Sequence, residues 1–304
     1  MIVVFGSVNA DYFLKVRSFP APGETVLTPS HIVKAGGKGG NQAVAAAKAG
    51  GKTTMIACFG KDTSADVPMT AMKNAGVDMS KVVYSDKPTA LAMIMVDESG
   101  ENSIVVSSGA NGDLKAADVP EGLLTENTTL VMQMEVPAEE NFALLKRAKQ
   151  KGVRTVLNVA PAHSVPAEVL PLVDYLILNE IEAETVYRSA FGGEKGSPEK
   201  TALALAEKTK GVCLVTLGGQ GALAAKDGKI VRVSCLSVKP VDTTGAGDAF
   251  VGIFSAMTDA GYGLADAMRR ASAGAGLACL KTGAQEGLPT KEDIEKRCAE
   301  IVVS

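Results

Sequence analysis

Tryptophan is absent from this 304-residue chain, and aromatic residues as a whole make up only 4%. A surface built on stacked bases or sugar rings is therefore not expected. Histidine is nearly absent too, with only His31 and His163. Two cannot form a histidine-rich metal site, and a Ser-His-Asp triad would have only these to draw on. The five cysteines (Cys58, Cys213, Cys235, Cys279, Cys298) are widely spread and form no C-x-x-C. They are expected as reduced, mostly buried thiols. No sign of charge dominates: 31 basic against 34 acidic residues give a net charge of −3. That balance argues against dedicated binding to nucleic acid or to an anionic membrane. No apolar run approaches the roughly 20 residues that cross a bilayer. Met1–Gly6 reads as a buried strand, without the basic start and long apolar run of a secretion signal. A cytoplasmic protein is expected.

What is abundant is apolar and small. Hydrophobic residues are 46% and glycine numbers 32, enough for one large α/β domain or two smaller ones. Near-continuous apolar strands are expected at Ile2–Gly6, Thr54–Phe59, Thr129–Met134, Thr155–Asn158, Tyr175–Leu178, Val212–Leu217 and Ala222–Ala225, with a further β-rich stretch at Lys229–Val238. Helical patterns fall at Asn41–Ala49, Ala65–Ala75, Ala138–Lys151, Glu182–Ser189, Pro198–Lys210, Ala246–Asp259, Leu264–Leu280 and Lys291–Val302. Such alternation indicates an α/β fold with a mostly parallel central sheet flanked by helices on both faces. Ligands in such folds sit beyond the carboxyl ends of the strands. Two segments break the rhythm. Asp11–Lys34 alternates and carries a Pro-Gly turn, and Thr89–Val106 reads as a hairpin. Together they predict a small antiparallel β lid (11–34 and 89–106) over a main domain of 1–10, 35–88 and 107–304; the alternative is a surface hairpin with nothing to cover.

The densest signal is Asp242-Thr-Thr-Gly245-Ala246-Gly247-Asp248. Glycines at a strand-to-helix junction let backbone N–H groups face a cavity, and the helix dipole adds positive potential, so the segment suits a phosphate. A carboxylate there is electrostatically out of place unless it accepts a proton. Asp248 is therefore expected to deprotonate a hydroxyl as it attacks a phosphoryl group. In Ala35-Gly36-Gly37-Lys38-Gly39-Gly40-Asn41-Gln42, glycines permit close approach to a ligand. Asn41 is expected as a helix N-cap, and Lys38 either meets a phosphate or is solvated. Gly51-Lys52-Thr53 ends like a phosphate-binding P-loop, but Ala46 replaces the required glycine and Thr53 begins a strand. No complete G-x-G-x-x-G supports a dinucleotide site.

Further candidates follow other strands. Asn9 and Asp11 suit sugar hydroxyls or form an Asx-turn. Glu135 is a cleft candidate. Asn179 and Glu182 either serve phosphate oxygens and Mg²⁺ through water or cap a helix. Thr216-Leu-Gly218-Gly-Gln-Gly221 contacts a nucleotide, turns a hairpin, or does both.

The order of these motifs, with Gly109-Ala110-Asn111 and Asn158-Val-Ala160-Pro161, resembles the ribokinase (PfkB) family of carbohydrate kinases over nearly the whole chain. The resemblance implies ATP-dependent phosphorylation of a primary sugar hydroxyl, O5 of D-ribose, or of another sugar or a nucleoside such as fructose or adenosine. It implies that Asp248 is the base and that Gly245, Ala246 and Gly247 supply backbone donors. Asn9, Asp11, Gly37, Lys38, Asn41 and Glu135 would line the sugar site. Asn179, Glu182, Thr216, Gly218, Gly221 and Gly247 would face ATP and Mg²⁺. A monovalent cation, K⁺, would lie at Asp242, Thr244, Ala278, Lys281, Gly283 and Gly287, mostly on backbone carbonyls. Gly287 stands where the family commonly has Ser, and Gly40 where it has Ala. A homodimer through the lid is also implied. The rival of a different class is a non-catalytic sugar sensor, which has no need of a proton acceptor at Asp248.

Overall fold

The computed structural model describes residues 1–193 and 196–304. In chain order the strands are β1 (Ile2–Phe5), β2 (Asn9–Lys15), β3 (His31–Gly36), β4 (Thr53–Ile56), β5 (Cys58–Gly60), β6 (Val83–Ser85), β7 (Leu91–Val96), β8 (Asn102–Ser107), β9 (Thr129–Met132), β10 (Arg154–Asn158), β11 (Tyr175–Asn179), β12 (Val212–Thr216), β13 (Ala222–Lys226) and β14 (Lys229–Val233). The α-helices are α1 (Lys38–Lys48), α2 (Asp66–Asn74), α3 (Ala138–Gln150), α4 (Glu180–Phe191), α5 (Pro198–Thr209), α6 (Ala246–Asp259), α7 (Leu264–Ala278) and α8 (Lys291–Arg297).

The main sheet has the order β14-β13-β12-β11-β10-β9-β1-β4. Strands β4 to β12 in that order are parallel, and β13 and β14 close the far edge antiparallel. Its interior strands are mostly apolar because both faces are covered. Ile2 and Val4 of β1 enter one core with Ala43 of α1, Ile253 of α6 and Met268 of α7. Val3 and Phe5 enter the other with Leu144 of α3, Val186 of α4 and Leu205 of α5. That is the two-residue strand period feeding two cores. Helix α6 is buried from Asp248 to Thr258, so it is a core helix rather than an amphipathic one. Its Phe254 stacks on Phe250 and meets Tyr175 edge-on. Truncating such a ring to alanine costs about 3–5 kcal/mol. Among the described residues no helix is long and apolar enough to cross a membrane.

The second sheet runs β3-β2-β7-β8. Its outer pairs are antiparallel and its central pair, β2 with β7, is parallel. Ala10, Ala92 and Ile94 are buried while Ile32, Met93 and Ile104 are exposed. In register, Ala92 and Ile94 share a face with Asp11, Ile32 and Ile104, while Ala10 and Met93 lie on the other, so the first face is buried on β7 and exposed on the edge strands β3 and β8.

Three expectations are corrected. The run Thr54–Phe59 is not one strand: the chain leaves the main sheet at Ala57, whose carbonyl accepts from Val83 N–H, and β5 pairs with β6 instead. The last helix stops at Arg297 rather than Val302, because Val303 pairs with the exposed edge of β14 at Val233. Edge pairing satisfies backbone groups that the helix would otherwise leave to solvent. Asn41 is not an N-cap. Helix α1 starts at Lys38, capped by Gly37 at φ 83°. A Cβ on Gly39 would lie 2.6 Å from the Ser7 carbonyl oxygen, so the glycines let the helix end press against the turn after β1.

Candidate active site

The strand order reverses at β1, from which the chain goes first to β4 and later to β9 and beyond. Ligands bind at such a switch, past the carboxyl ends. Asn9 follows β1, Glu135 follows β9, Asn158 ends β10, Asn179 ends β11 and Thr216 ends β12.

Asn9 is buried, and its Oδ1 accepts from Asn111 Nδ2 at 2.9 Å. Glu135 Oε2 accepts from Ser7 Oγ at 2.6 Å and from the Lys38 backbone N–H at 3.0 Å. Asp11 lies against the backbone of Gly36, where any Cβ would collide with its carboxylate. Its Oδ1 is buried without a hydrogen-bond partner. Burial first, then the charges of Glu135, Glu286 and Asp248, push its carboxyl up to about 7. The Lys38 ammonium is held above its usual value chiefly by Asp248, against burial, with help from Glu135 and Glu182. The charge of Lys38 therefore lies within the field of three carboxylates, Asp248, Glu135 and Glu182.

Asp248 occupies the first turn of α6 and is 6% exposed. Its Oδ2 accepts from Asn41 Nδ2 at 2.9 Å and its Oδ1 from Gln42 Nε2 at 3.0 Å. Gly245 caps the helix at φ 78°, and a Cβ there would lie 2.9 Å from Ala284 Cα. The Ala246 N–H is already given to the Thr243 carbonyl at 3.2 Å. Gly247 faces open space, and a helix leaves the N–H groups of its first turn without internal acceptors.

On the other side of Gly247 is a cavity of about 330 Å³. Thr216, Gly218 and Gly221 form one wall, Leu236 and Val238 another, and Phe250, Ser272, Ala275, Gly276 and Cys279 the floor. The Thr216–Gly221 turn both joins β12 to β13 and lines this cavity. Asn179 and Glu182 form a closed capping box at the start of α4. Asn179 Oδ1 accepts from Glu182 N–H at 2.9 Å, and the two Glu182 oxygens accept from Asn179 N–H and Nδ2 at 2.7 and 2.8 Å. Burial pushes the Glu182 carboxyl up. Neither residue lines the cavity; both flank Thr216, which pairs with Asn179 in register. Among the described residues no three His, Cys, Asp or Glu side chains cluster as a metal site.

The loops bearing the expected cation positions are bound to each other. Asp242 accepts from Thr244 N–H and Gly283 N–H, each at 2.9 Å. Burial opposes ionisation of this carboxyl, but those amide bonds outweigh it and hold it below the usual range. Val241 and Asp242 donate to the Cys279 carbonyl. A Cβ on Gly287 would lie 2.5 Å from the Ala278 carbonyl oxygen and 3.5 Å from that of Lys281. The glycine thus lets its backbone lie close against the Ala278 carbonyl.

Sequence reasoning did not single out Gln42, Gln133, Asn158 and Gln285 as partners of Asp248 and Asn41, and their scattered positions carry no signal. It also missed the α7 wall of the cavity. A signal existed there, since Ser272, Ala275, Gly276 and Cys279 recur at helical spacing as a small-residue face.

Residues 1–291 match the pfkB family of carbohydrate kinases. The chain is 36% identical to a ribokinase of Haemophilus influenzae over 295 residues, covering 96% of each chain. It is 35% identical to a ribokinase of Staphylococcus aureus, covering 97% of this chain and 98% of that one. Among solved structures it is similar to Thermotoga maritima ribokinase, with a TM-score of 0.92 and 33% identity over 98% of this chain and 99% of that one. It is also similar to an Arabidopsis thaliana ribokinase complexed with ribose and ATP, with a TM-score of 0.89 and 30% identity over 98% of both. With this match over almost its full length, and with a buried carboxylate at the start of α6 between the two halves of the cleft, the chain belongs to the pfkB family of carbohydrate kinases.

Proposed function

We propose that this protein transfers the γ-phosphoryl group of ATP to O5 of D-ribose, giving ribose 5-phosphate and ADP. The observation that carries the reading is the placement of Asp248. It follows directly on Ala246 and Gly247, which line the cavity, while its carboxylate is held by Asn41 and its charge reaches Asp11 and Lys38. ATP would place its base and ribose between the apolar walls at Leu236 and Ala275 and its phosphates at Gly247. Asn9, Asp11, Gly37, Lys38, Asn41 and Glu135 would hold the sugar. Asp11 accepts from its hydroxyls through the oxygen that lacks a partner. Asp248 takes the O5 proton as the new bond forms, and the first-turn N–H groups of α6 stabilise charge on the transferring group. Lys38 offsets the approach of two anions.

Both oxygens of Glu182 already accept hydrogen bonds, so the site fits Mg²⁺ carried on the nucleotide phosphates, with Glu182 acting through water. That ion supplies charge neutralisation when bound. A monovalent cation would lie near Asp242, on backbone carbonyls such as those of Ala278 and Lys281, which approach Gly287. The second sheet forms the lid, which excludes water from the reaction. The face that carries Asp11 also exposes Ile32, Ile104 and Val106 on its edge strands, which suits a homodimer through the lid.

The test is ADP release against a panel of pentoses, fructose and adenosine, with and without K⁺. Ribose is expected to give the highest kcat/KM. In Asp248→Asn, kcat should fall by about 10²–10⁴-fold with sugar and ATP binding retained. Turnover like wild type in that variant overturns the proposal.

A further inference from the structure

The Asp248 carboxylate is not simply buried; it terminates two chains of side-chain amides. In the first, Gln133 Nε2 donates to Gln42 Oε1 at 2.7 Å, and Gln42 Nε2 donates both to Asp248 Oδ1 and to Asn158 Oδ1 at 3.0 Å. Asn158 Nδ2 then donates to the Ile177 carbonyl at 3.0 Å. In the second, Gln285 Nε2 donates to Asn41 Oδ1 at 3.0 Å, and Asn41 Nδ2 donates to Asp248 Oδ2 at 2.9 Å. Gln42 and Gln133 are fully buried.

An amide side chain has two orientations that differ by exchange of its oxygen and nitrogen. Here the chemistry of the ends removes the choice. An ionised carboxylate and a backbone carbonyl can only accept. Gln42 must therefore turn its NH₂ to Asp248 and its oxygen to Gln133, and Asn158 must turn its oxygen to Gln42. Each amide is locked by the next, and the carboxylate is held at both oxygens.

We infer that Gln42 is a positioning residue for phosphoryl transfer: through its bond to Oδ1 it fixes the plane of the Asp248 carboxylate. This rests on the proposed role of Asp248 as base. Held at Oδ1 by Gln42 and at Oδ2 by Asn41, the carboxylate keeps one orientation, with its free lone pairs aimed at the attacking hydroxyl.

The test compares Gln42→Met, Gln42→Glu, Gln133→Leu and Asp248→Asn in the full-length protein. Folding is checked by circular dichroism. Gln42→Met keeps the length of the side chain and removes the donor. Its kcat is expected to fall about 10- to 100-fold, with KM for ribose and ATP within about 3-fold. Gln133→Leu disturbs the same chain at the same depth without touching Asp248, and Asn158 and Asp248 still hold the Gln42 NH₂ in place; its kcat should remain within about 3-fold. Gln42→Glu is isosteric and decides the matter if Gln42→Met does not fold. Its side chain can donate only while protonated, so activity should show a new alkaline limb. The inference is overturned if Gln42→Met keeps the kcat of the wild type. It is equally overturned if Gln42→Met and Gln133→Leu lose activity alike, or if Gln42→Glu shows no new limb. Active Asp248→Asn would instead remove the base assignment itself, whatever the Gln42 variants do.

Discussion

Replacing Asp11 with asparagine should make the sugar-free protein more stable and the enzyme worse. The Asp11 carboxyl titrates near 7, against 3.8 for an unperturbed aspartate, because burial and then Glu135, Glu286 and Asp248 all disfavour its charge. Its Oδ1 has no hydrogen-bond partner to offset that. A gap of this size is worth about 4 kcal/mol. Below about pH 4 the native and unfolded chains both carry the proton, and the group costs nothing. Between about pH 4 and 7 the unfolded chain releases its proton while the native chain keeps it, so stability falls as pH rises. Above pH 7 the whole penalty stands. Asparagine never ionises, so Asp11→Asn should stabilise by about 1.5 kcal/mol at pH 5 and by up to about 4 kcal/mol at pH 8. Urea unfolding followed by far-ultraviolet circular dichroism measures this without tryptophan, which the chain lacks. The same substitution removes a charged acceptor for sugar hydroxyls and should raise the KM for ribose about 10- to 100-fold. Wild-type sugar binding near pH 7 should also release protons, visible as a dependence of binding heat on buffer ionisation enthalpy. A variant no more stable than wild type at pH 8, or a gain that does not grow with pH, would refute the argument.

Two glycines offer independent checks. Gly245→Ala forces a side chain into a left-handed conformation with the Ala284 backbone 2.9 Å away; it should lower the thermal midpoint by the equivalent of at least about 1–2 kcal/mol and reduce kcat, both measurable on one preparation. Gly287→Ser places an atom 2.5 Å from the Ala278 carbonyl oxygen and should shift the K⁺ concentration giving half-maximal activation, with little change in the KM for ribose. An unmoved K⁺ titration curve would remove the cation from the neighbourhood of Gly287.

Much of the architecture was readable from local pattern. Apolar runs bounded by amphipathic helices specify a covered parallel sheet, because strands buried on both faces need no polar alternation. Helix α6 was expected at Ala246–Asp259 and is found there, since the glycines before it mark its start and an unbroken apolar run sustains it. The failures have a common cause. Helix α1 begins at Lys38 rather than Asn41 because Gly37 and Gly39 answer to the approach of Ser7, a contact between residues far apart in the chain. Val303 joins β14 because an edge strand elsewhere has backbone groups to satisfy.

The candidate site divides in the same way. The residues that bear charge or free a backbone could be named from the chain alone: Asp248, Asp11, Glu135, Lys38 and the glycines around Gly245. A carboxylate among anion-binding amides is chemically conspicuous wherever it occurs. What only the tertiary structure decided is how those groups are held. Gln42 follows Asn41 directly, yet the two grip different oxygens of Asp248, while Gln133, Asn158 and Gln285 arrive from three separate elements. Amides have no charge and no periodicity to betray them. Their orientation follows from acceptors at the ends of a hydrogen-bonded chain, and those ends meet only after the sheet has formed.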